Sequence, residues 1–278
     1  MADVGAREES PLLRAERVYA AAADHFTRPA LGFWDACGAE TVRRAGVSLG
    51  ESVLDLCCGA GASVVPAAHA VGPSGRVVGV DIADPLLALA RDRVVREGLA
   101  NTDLVRSDAT ATGFGDASFD CVVCVFGVFF VADMPAFVSE MWRMVRPGGR
   151  LAITTWGPGW LEPAGSIFWE HVREVRPELH KAFNPWDEIT TPAALTALLA
   201  DGGVTGADAV PLAGRQRLDR PEDFWEIVLG SGLRATVDAL DDAERAAVRG
   251  AVLDALGRAD VAEVGTDSVI AIAAKPST

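Results

Sequence analysis

The chain has 278 residues, half of them hydrophobic, with a formal net charge of −14 and a sequence pI near 4.7. That length buries one sizeable core, and the acidic balance works against docking on nucleic-acid phosphates. The longest apolar run, residues 121–132, falls short of the roughly 20 residues a membrane-spanning helix needs. The charged start of the chain lacks the apolar stretch of a secretion signal. A cytoplasmic protein is expected, a monomer or homodimer, with a small-molecule partner and with neither nucleic acid nor membrane as a partner.

Two N-terminal helices are predicted first, over residues 12–25 and 30–45. Ser10 is placed as cap and Pro11 in the first turn. Strands and helices then alternate: strand 52–56, helix from 62 toward 71, strand 76–80, helix 84–97, strands 103–107 and 119–125, helix 136–145 and strand 151–155. Arg146-Pro147-Gly148-Gly149 reads as the turn before that last strand. Such alternation with short connections predicts an α/β fold, a doubly wound parallel sheet with right-handed crossovers.

Past residue 156 the rhythm breaks. Residues 157–190 are rich in Trp, Phe, His and Pro; a helix over 192–199 resumes the pattern. Further helices are expected at 221–229 and 241–256, with a last strand at 269–274. The whole chain, 1–278, reads as one domain: a helical lid (1–46), a ligand-binding core (47–156) and cap insertions at 157–190 and 215–260.

The most informative stretch is Ser52-Val-Leu-Asp-Leu-Cys-Cys-Gly-Ala-Gly61, followed by Gly75-Arg-Val-Val-Gly-Val-Asp81. It reads as a buried strand, a glycine turn into a helix, and a second strand ending in a carboxylate. This arrangement gathers backbone amides and one acid around a nucleoside at the carboxyl ends of parallel strands. A dinucleotide fingerprint would need a third glycine for close helix–strand packing, and Val64 occupies that position. The pattern present is an acid followed by alternating small residues, Asp55-x-Cys57-x-Gly59-x-Gly61, with Cys57 where a first glycine would stand.

This pattern resembles the cofactor site of class I S-adenosylmethionine (SAM)-dependent methyltransferases, closest to the ubiquinone/menaquinone-type and small-molecule subfamily. The resemblance also rests on Ser107-Asp108-Ala109, Phe119-Asp120 and residues 146–149. It implies a seven-stranded Rossmann-like sheet with helical cap insertions, SAM as cofactor and S-adenosylhomocysteine (SAH) as product. Gly59 and Gly61 would let the backbone approach the methionine part of SAM, and Asp55 would meet its ammonium. Asp81, expected on a surface-facing loop, would take the ribose hydroxyls, Asp108 and Ala109 the adenine edge, and Ile82 an adenine face. Cys57, Cys124 and Val125 would pass near the methionine, and Tyr19 and Phe129 would stand beside the cofactor.

The acceptor side is read from aromatic density: His25, Phe26, Trp34, Trp156, Trp160, Trp169, Phe183 and Trp186 are expected to line a water-poor pocket. This suggests an apolar or aromatic metabolite of specialised metabolism as acceptor. His171 and His180, in the cap, are the candidates for a general base. Cys121 and Cys124 are three apart in a strand, so they point to opposite faces and share no metal; no metal is expected elsewhere. Two other readings stay open here, a SAM-fold protein catalysing a cyclisation or other non-methylating step and a nicotinamide oxidoreductase.

Overall fold

The computed structural model describes residues 10–181 and 183–277; what was expected of residues 1–9 lies outside them. The first helix, α1 (Pro11–Ala22), starts as its sequence dictates, the Ser10 hydroxyl accepting from the Leu13 amide with Pro11 in the first turn. A 3-10 turn at Pro29–Leu31 and Gly32 separate it from α2 (Phe33–Arg44), which is shorter than the single helix expected there.

The core follows as β1 (Ser52–Leu56), α3 (Val64–Val71), β2 (Arg76–Asp81), α4 (Asp84–Arg96), β3 (Thr102–Arg106), β4 (Phe119–Val125), α5 (Met134–Met144) and β5 (Val145–Trp156). Then come α6 (Ala164–Val175), α7 (Pro192–Asp201), β6 (Asp208–Leu212) and β7 (Arg215–Arg217). The chain finishes with α8 (Pro221–Leu229), α9 (Arg234–Asp238), α10 (Asp242–Arg258), β8 (Glu263–Gly265) and β9 (Ser268–Ala274).

Seven strands form one sheet in the order β3-β2-β1-β4-β5-β9-β6, parallel from β3 to β5, with β9 antiparallel to both β5 and β6. β7 and β8 pair separately. Strand order reverses between β1 and β4, and the carboxyl ends of strands flanking such a point bound a ligand crevice.

Side-chain alternation sorts the core into two faces. Leu54, Leu56, Val122 and Cys124 pack on one side, toward α5 and α7. Val53, Cys121 and Val123 pack on the other, toward α3. Cys121 and Cys124 thus stand on opposite faces of β4, and all five cysteines are free thiols.

The Pro-Gly turn expected at residues 146–149 sits inside β5 as a bulge. Phe119 pairs with Val145 and Cys121 with Arg150, so Asp120 alone faces those four residues. Gly149 permits the approach, since a Cβ there would lie 2.6 Å from the Asp120 carbonyl oxygen. The Arg146 guanidinium donates to the Asp120 carboxylate, closing the bulge.

Close packing of α3 on the sheet is achieved without a glycine at Val64. That residue is fully buried, and the space is made instead by Gly79 on β2, where a Cβ would meet the Val64 methyl at 2.9 Å. Among the described residues, no helix is long and apolar enough to cross a membrane.

Candidate active site

The turn after β1 carries the site. Cys57, Gly59 and Gly61, the alternating positions of the motif, take positive φ of 59°, 51° and 85°. Glycine adopts this region freely and a side chain does so at a cost. The turn therefore keeps the shape of an all-glycine motif even with a cysteine at its first position.

Asp81 locks that turn to the end of β2. One carboxylate oxygen accepts from the Gly59 amide at 2.8 Å, the other from the Ala83 amide at 2.8 Å. The residue is 9 % exposed, which corrects the surface-loop placement: it is a buried tie between two loops. Asp55 is fully buried beneath the turn, where the Ser63 hydroxyl donates to one of its oxygens at 2.6 Å; the other oxygen has no partner.

Above the turn lies a narrow cavity with about 90 Å³ of free space. Of the expected cofactor residues, Tyr19, Cys57, Gly59, Asp81, Ile82, Ala109 and Val125 line it. The others stand elsewhere. Asp55 lies below the floor; Gly61 turns toward α4, where a Cβ would touch that of Ala90 at 3.4 Å. Asp108 accepts from the Thr110 amide and hydroxyl, serving as a turn cap. Cys124 is fully buried, and Phe129 belongs to the adjoining cavity while its neighbour Phe130 reaches both.

Leu12, Ala15 and Glu16 of α1 line the same cavity with Tyr19. Their spacing (i, i+3, i+4, i+7) marks one helix face, a signal present in the sequence. Phe126 was also missed. It follows β4 at a φ of 56° and stacks on Trp156 with centroids 3.7 Å apart.

Burial sets the electrostatics. It raises the Asp55 carboxyl to about 7, with the Asp81 charge adding and the Ser63 bond opposing. Burial also raises Asp81, opposed by the amides of Ala83, Gly59 and Ile82. The Tyr19 phenol is pushed up by burial and then by the Asp81 charge, so it stays protonated and can donate. The Cys57 thiol is pushed well up by its bond to Cys124 and by burial. Among the described residues, no lysine or arginine lines this cavity, while Asp81 and Glu16 do.

These residues fit SAM. A cavity with acids and no base suits a cation and opposes a pyrophosphate. The unpartnered Asp55 oxygen has acceptor capacity to spare. Ile82, Leu86 and Ala109 offer an apolar berth for a purine.

A second cavity, of about 690 Å³, opens on the far side of Tyr19 and Phe130 and is lined by Phe129, Phe183 and Trp186. Of the expected acceptor residues, Phe26 and Trp34 line the first cavity, and Phe183 and Trp186 the second. Trp160 and Trp169 line an adjoining cleft that shares Trp186 with the second cavity. Trp156 is 2 % exposed and packs as core, and His25 pairs with Asp24 at 2.7 Å.

Eight aromatic side chains close a circuit around this region: Tyr19, Phe26, Trp34, Trp156, Trp160, Trp186, Phe129 and Phe130, each in ring contact with the next. The two histidines read as candidate bases are not brought to either cavity. His171 pairs with Glu174 on α6 at 2.8 Å, and His180 stands edge-on to Trp169.

A Rossmann-like sheet with a glycine turn after β1 and an acid ending β2 is the arrangement of class I SAM methyltransferases. Residues 30–185 match the ubiE/COQ5 methyltransferase family, and the chain belongs to that family. It is 34 % identical over 148 residues to the demethylmenaquinone methyltransferase of Listeria monocytogenes serotype 4a, covering 52 % of this chain and 61 % of that protein. It is 30 % identical over 180 residues to the enzyme of that name from Anoxybacillus flavithermus, covering 63 % and 76 %. The crystal structure of a SAM-dependent methyltransferase from Aquifex aeolicus shares the fold, with a TM-score of 0.51, 16 % identity and coverage of 96 % and 99 %. The chain thus spans 61 % of the length of the Listeria relative.

Proposed function

We propose that the protein is a SAM-dependent methyltransferase acting on a small-molecule acceptor with an apolar, aromatic body. The observation that carries this reading is the acid-lined, base-free cavity above the glycine turn, with the buried Asp55 oxygen left unpartnered beneath it. SAM, when bound, supplies an activated methyl group on a sulfonium.

The chain's own residues bind, align and exclude water. Each Asp81 oxygen keeps a second lone pair beyond its amide bond, enough to receive a ribose hydroxyl. Asp55 acts from below the turn as a counter-charge, and the aromatic circuit keeps the transfer path dry. Tyr19, the chain's only tyrosine, stands in the wall between the two cavities. With no histidine at either cavity, acceleration is assigned to alignment and dehydration and not to a histidine base.

The Listeria relative is named for demethylmenaquinone, so a quinol is the first acceptor class to try. The family match ends at residue 185, however, and Trp186, Gly232 and Ala235 of the second cavity lie beyond it. That supports an acceptor of the chain's own, and a role in specialised metabolism. A cytoplasmic setting is supported by five free thiols in the described residues.

Calorimetry with SAH, followed by transfer of labelled methyl from SAM to a panel of quinols and aromatic hydroxy compounds, tests the reading. SAH binding with label transfer is expected. Binding with no transfer to any acceptor, while the acceptor itself is converted, would establish a non-methylating reaction. No SAH binding would sink the proposal.

A further inference from the structure

The two cavities that meet at Tyr19 and Phe130 are lined with opposite charge. Among the described residues, the first is lined by Asp81 and by Glu16, which pairs with Arg106 at 2.8 Å, and by no base; the second is lined by Arg14 and Lys181 and by no acid.

Neither cation has an ion-pair partner among the described residues. Arg14 is exposed on α1 and Lys181 is half-buried in the segment after α6. Burial lowers the Lys181 ammonium from its usual value, and the Arg14 charge lowers it further. Two like charges with no counter-charge among the described residues raise the local potential and favour an anion. Lys181 also borders the adjoining cleft, which carries Glu162 and Asp187, yet neither forms an ion pair with it. Asp187 is engaged instead by the Asn184 amide at 2.7 Å.

Apart from Ser10 and Asn184, the rest of the second cavity is largely apolar and aromatic, with Phe129, Phe130, Phe183 and Trp186. Resting on the reading of the first cavity as the SAM site, the geometry points to an acceptor that carries an anionic group, a carboxylate or its equivalent, on an aromatic body, with Lys181 and Arg14 as the residues that select it. The aromatic body lies against Phe129 and Trp186, and the anion sits toward the α1 side of the opening. Segregated charge of this kind also keeps the two ligands from exchanging places, since each cavity repels the other's occupant.

A matched pair of probes tests this on the full chain: 1-hydroxy-2-naphthoate and 1-naphthol, which differ only in the carboxylate, titrated calorimetrically with and without SAH. Wild type is expected to bind the carboxylate at least tenfold more tightly. Lys181→Gln should cut that preference below threefold, Arg14→Gln should reduce it more weakly, and Lys181→Arg should retain it, all with SAH affinity unchanged. Wild type that binds the two probes within threefold of each other, or binds neither, overturns the inference; so does a Lys181→Gln variant whose preference is intact. SAH that fails to bind wild type while the carboxylate preference persists overturns the cofactor reading alone and supports the anion-selecting cavity.

Discussion

The Ser63 hydroxyl donates to the Asp55 carboxylate at 2.6 Å, joining the end of the glycine turn to the strand that launches it. Both residues are buried, and this is the only bond that Asp55 side-chain oxygens make among the described residues. One bond does not offset the desolvation of a carboxylate.

The imbalance has a signature in pH. The folded-state value of Asp55 is about 7, against an ordinary value of 3.8. Between those values the native protein holds a proton that the unfolded chain has released. Its contribution to stability therefore falls as pH rises through that window and is flat above it, a change on the order of 4 kcal/mol at most. Asp55→Asn removes this component. The variant should gain on wild type in melting temperature between pH 5 and pH 8, by roughly 2 °C or more. An equal gap at both pH values would mean that Asp55 titrates as an ordinary carboxylate.

Asp81 is both a ligand-facing acid and a structural tie. Asp81→Ala should weaken SAH binding by roughly 2–3 kcal/mol, the scale of a charged hydrogen bond. It should also lower stability, because the Gly59 and Ala83 amides lose their acceptors. Asp81→Asn leaves only one acceptor oxygen for those two amides and should fall between. Calorimetry giving Asp81→Ala within twofold of wild type would refute the binding role.

Cys57 tests the strain in the turn. At a φ of 59° a side chain costs about 1–2 kcal/mol, while glycine there returns part of that gain as unfolded-state entropy. Cys57→Gly should therefore match or exceed wild-type stability by up to about 1 kcal/mol and leave SAH affinity within threefold. Cys57→Val, β-branched, should destabilise clearly in urea titration. A Cys57→Ala, Cys58→Ala double variant should still bind SAH. One equivalent of zinc by elemental analysis would overturn the reading of these thiols as packing groups.

Much of this was legible because local signals and tertiary needs agree. β1 and β4 are rich in valine and other apolar residues, interrupted only by Ser52 and Asp55 in one and Asp120 in the other, and both lie where their sequences place them. β6 went unseen because Asp208-Ala-Val-Pro-Leu212 has little alternation and contains Pro211, which a strand at the sheet edge tolerates. β7 and β8, three residues each, pair across the whole of residues 218–262, a separation that local sequence does not report. At the site, the motif located the turn and Asp81, but whether a motif residue faces the cavity is a tertiary fact. Gly61 and Asp108 answer to Ala90 and Thr110 instead. The α1 face was written in plain helical spacing, and only what it faces across the cavity, the end of β2, was hidden.

That face leads to the last prediction, a cap that moves. The first cavity has about 90 Å³ of free space, whereas sites for drug-sized ligands run to roughly 300–1,000 Å³. A nucleoside therefore enters only if a wall yields. The floor is the turn tied by Asp81, and the sides are sheet ends, so the wall able to yield is α1 with the segment that follows it. Tyr19 and Phe26 seal that wall through ring contacts with Phe130 and Trp34, which can break and re-form without loss of backbone hydrogen bonds. The cap insertion joins the same seal through Trp160 and Trp186. Hydrogen exchange should show amides in residues 19–34 and 160–186 becoming protected when SAH and an acceptor bind, with β1 and β4 unchanged. Removing residues 1–22 should lower SAH affinity tenfold or more while the remaining core still melts cooperatively. Identical exchange in those two segments with and without ligand would place the entrance elsewhere and leave α1 a fixed wall.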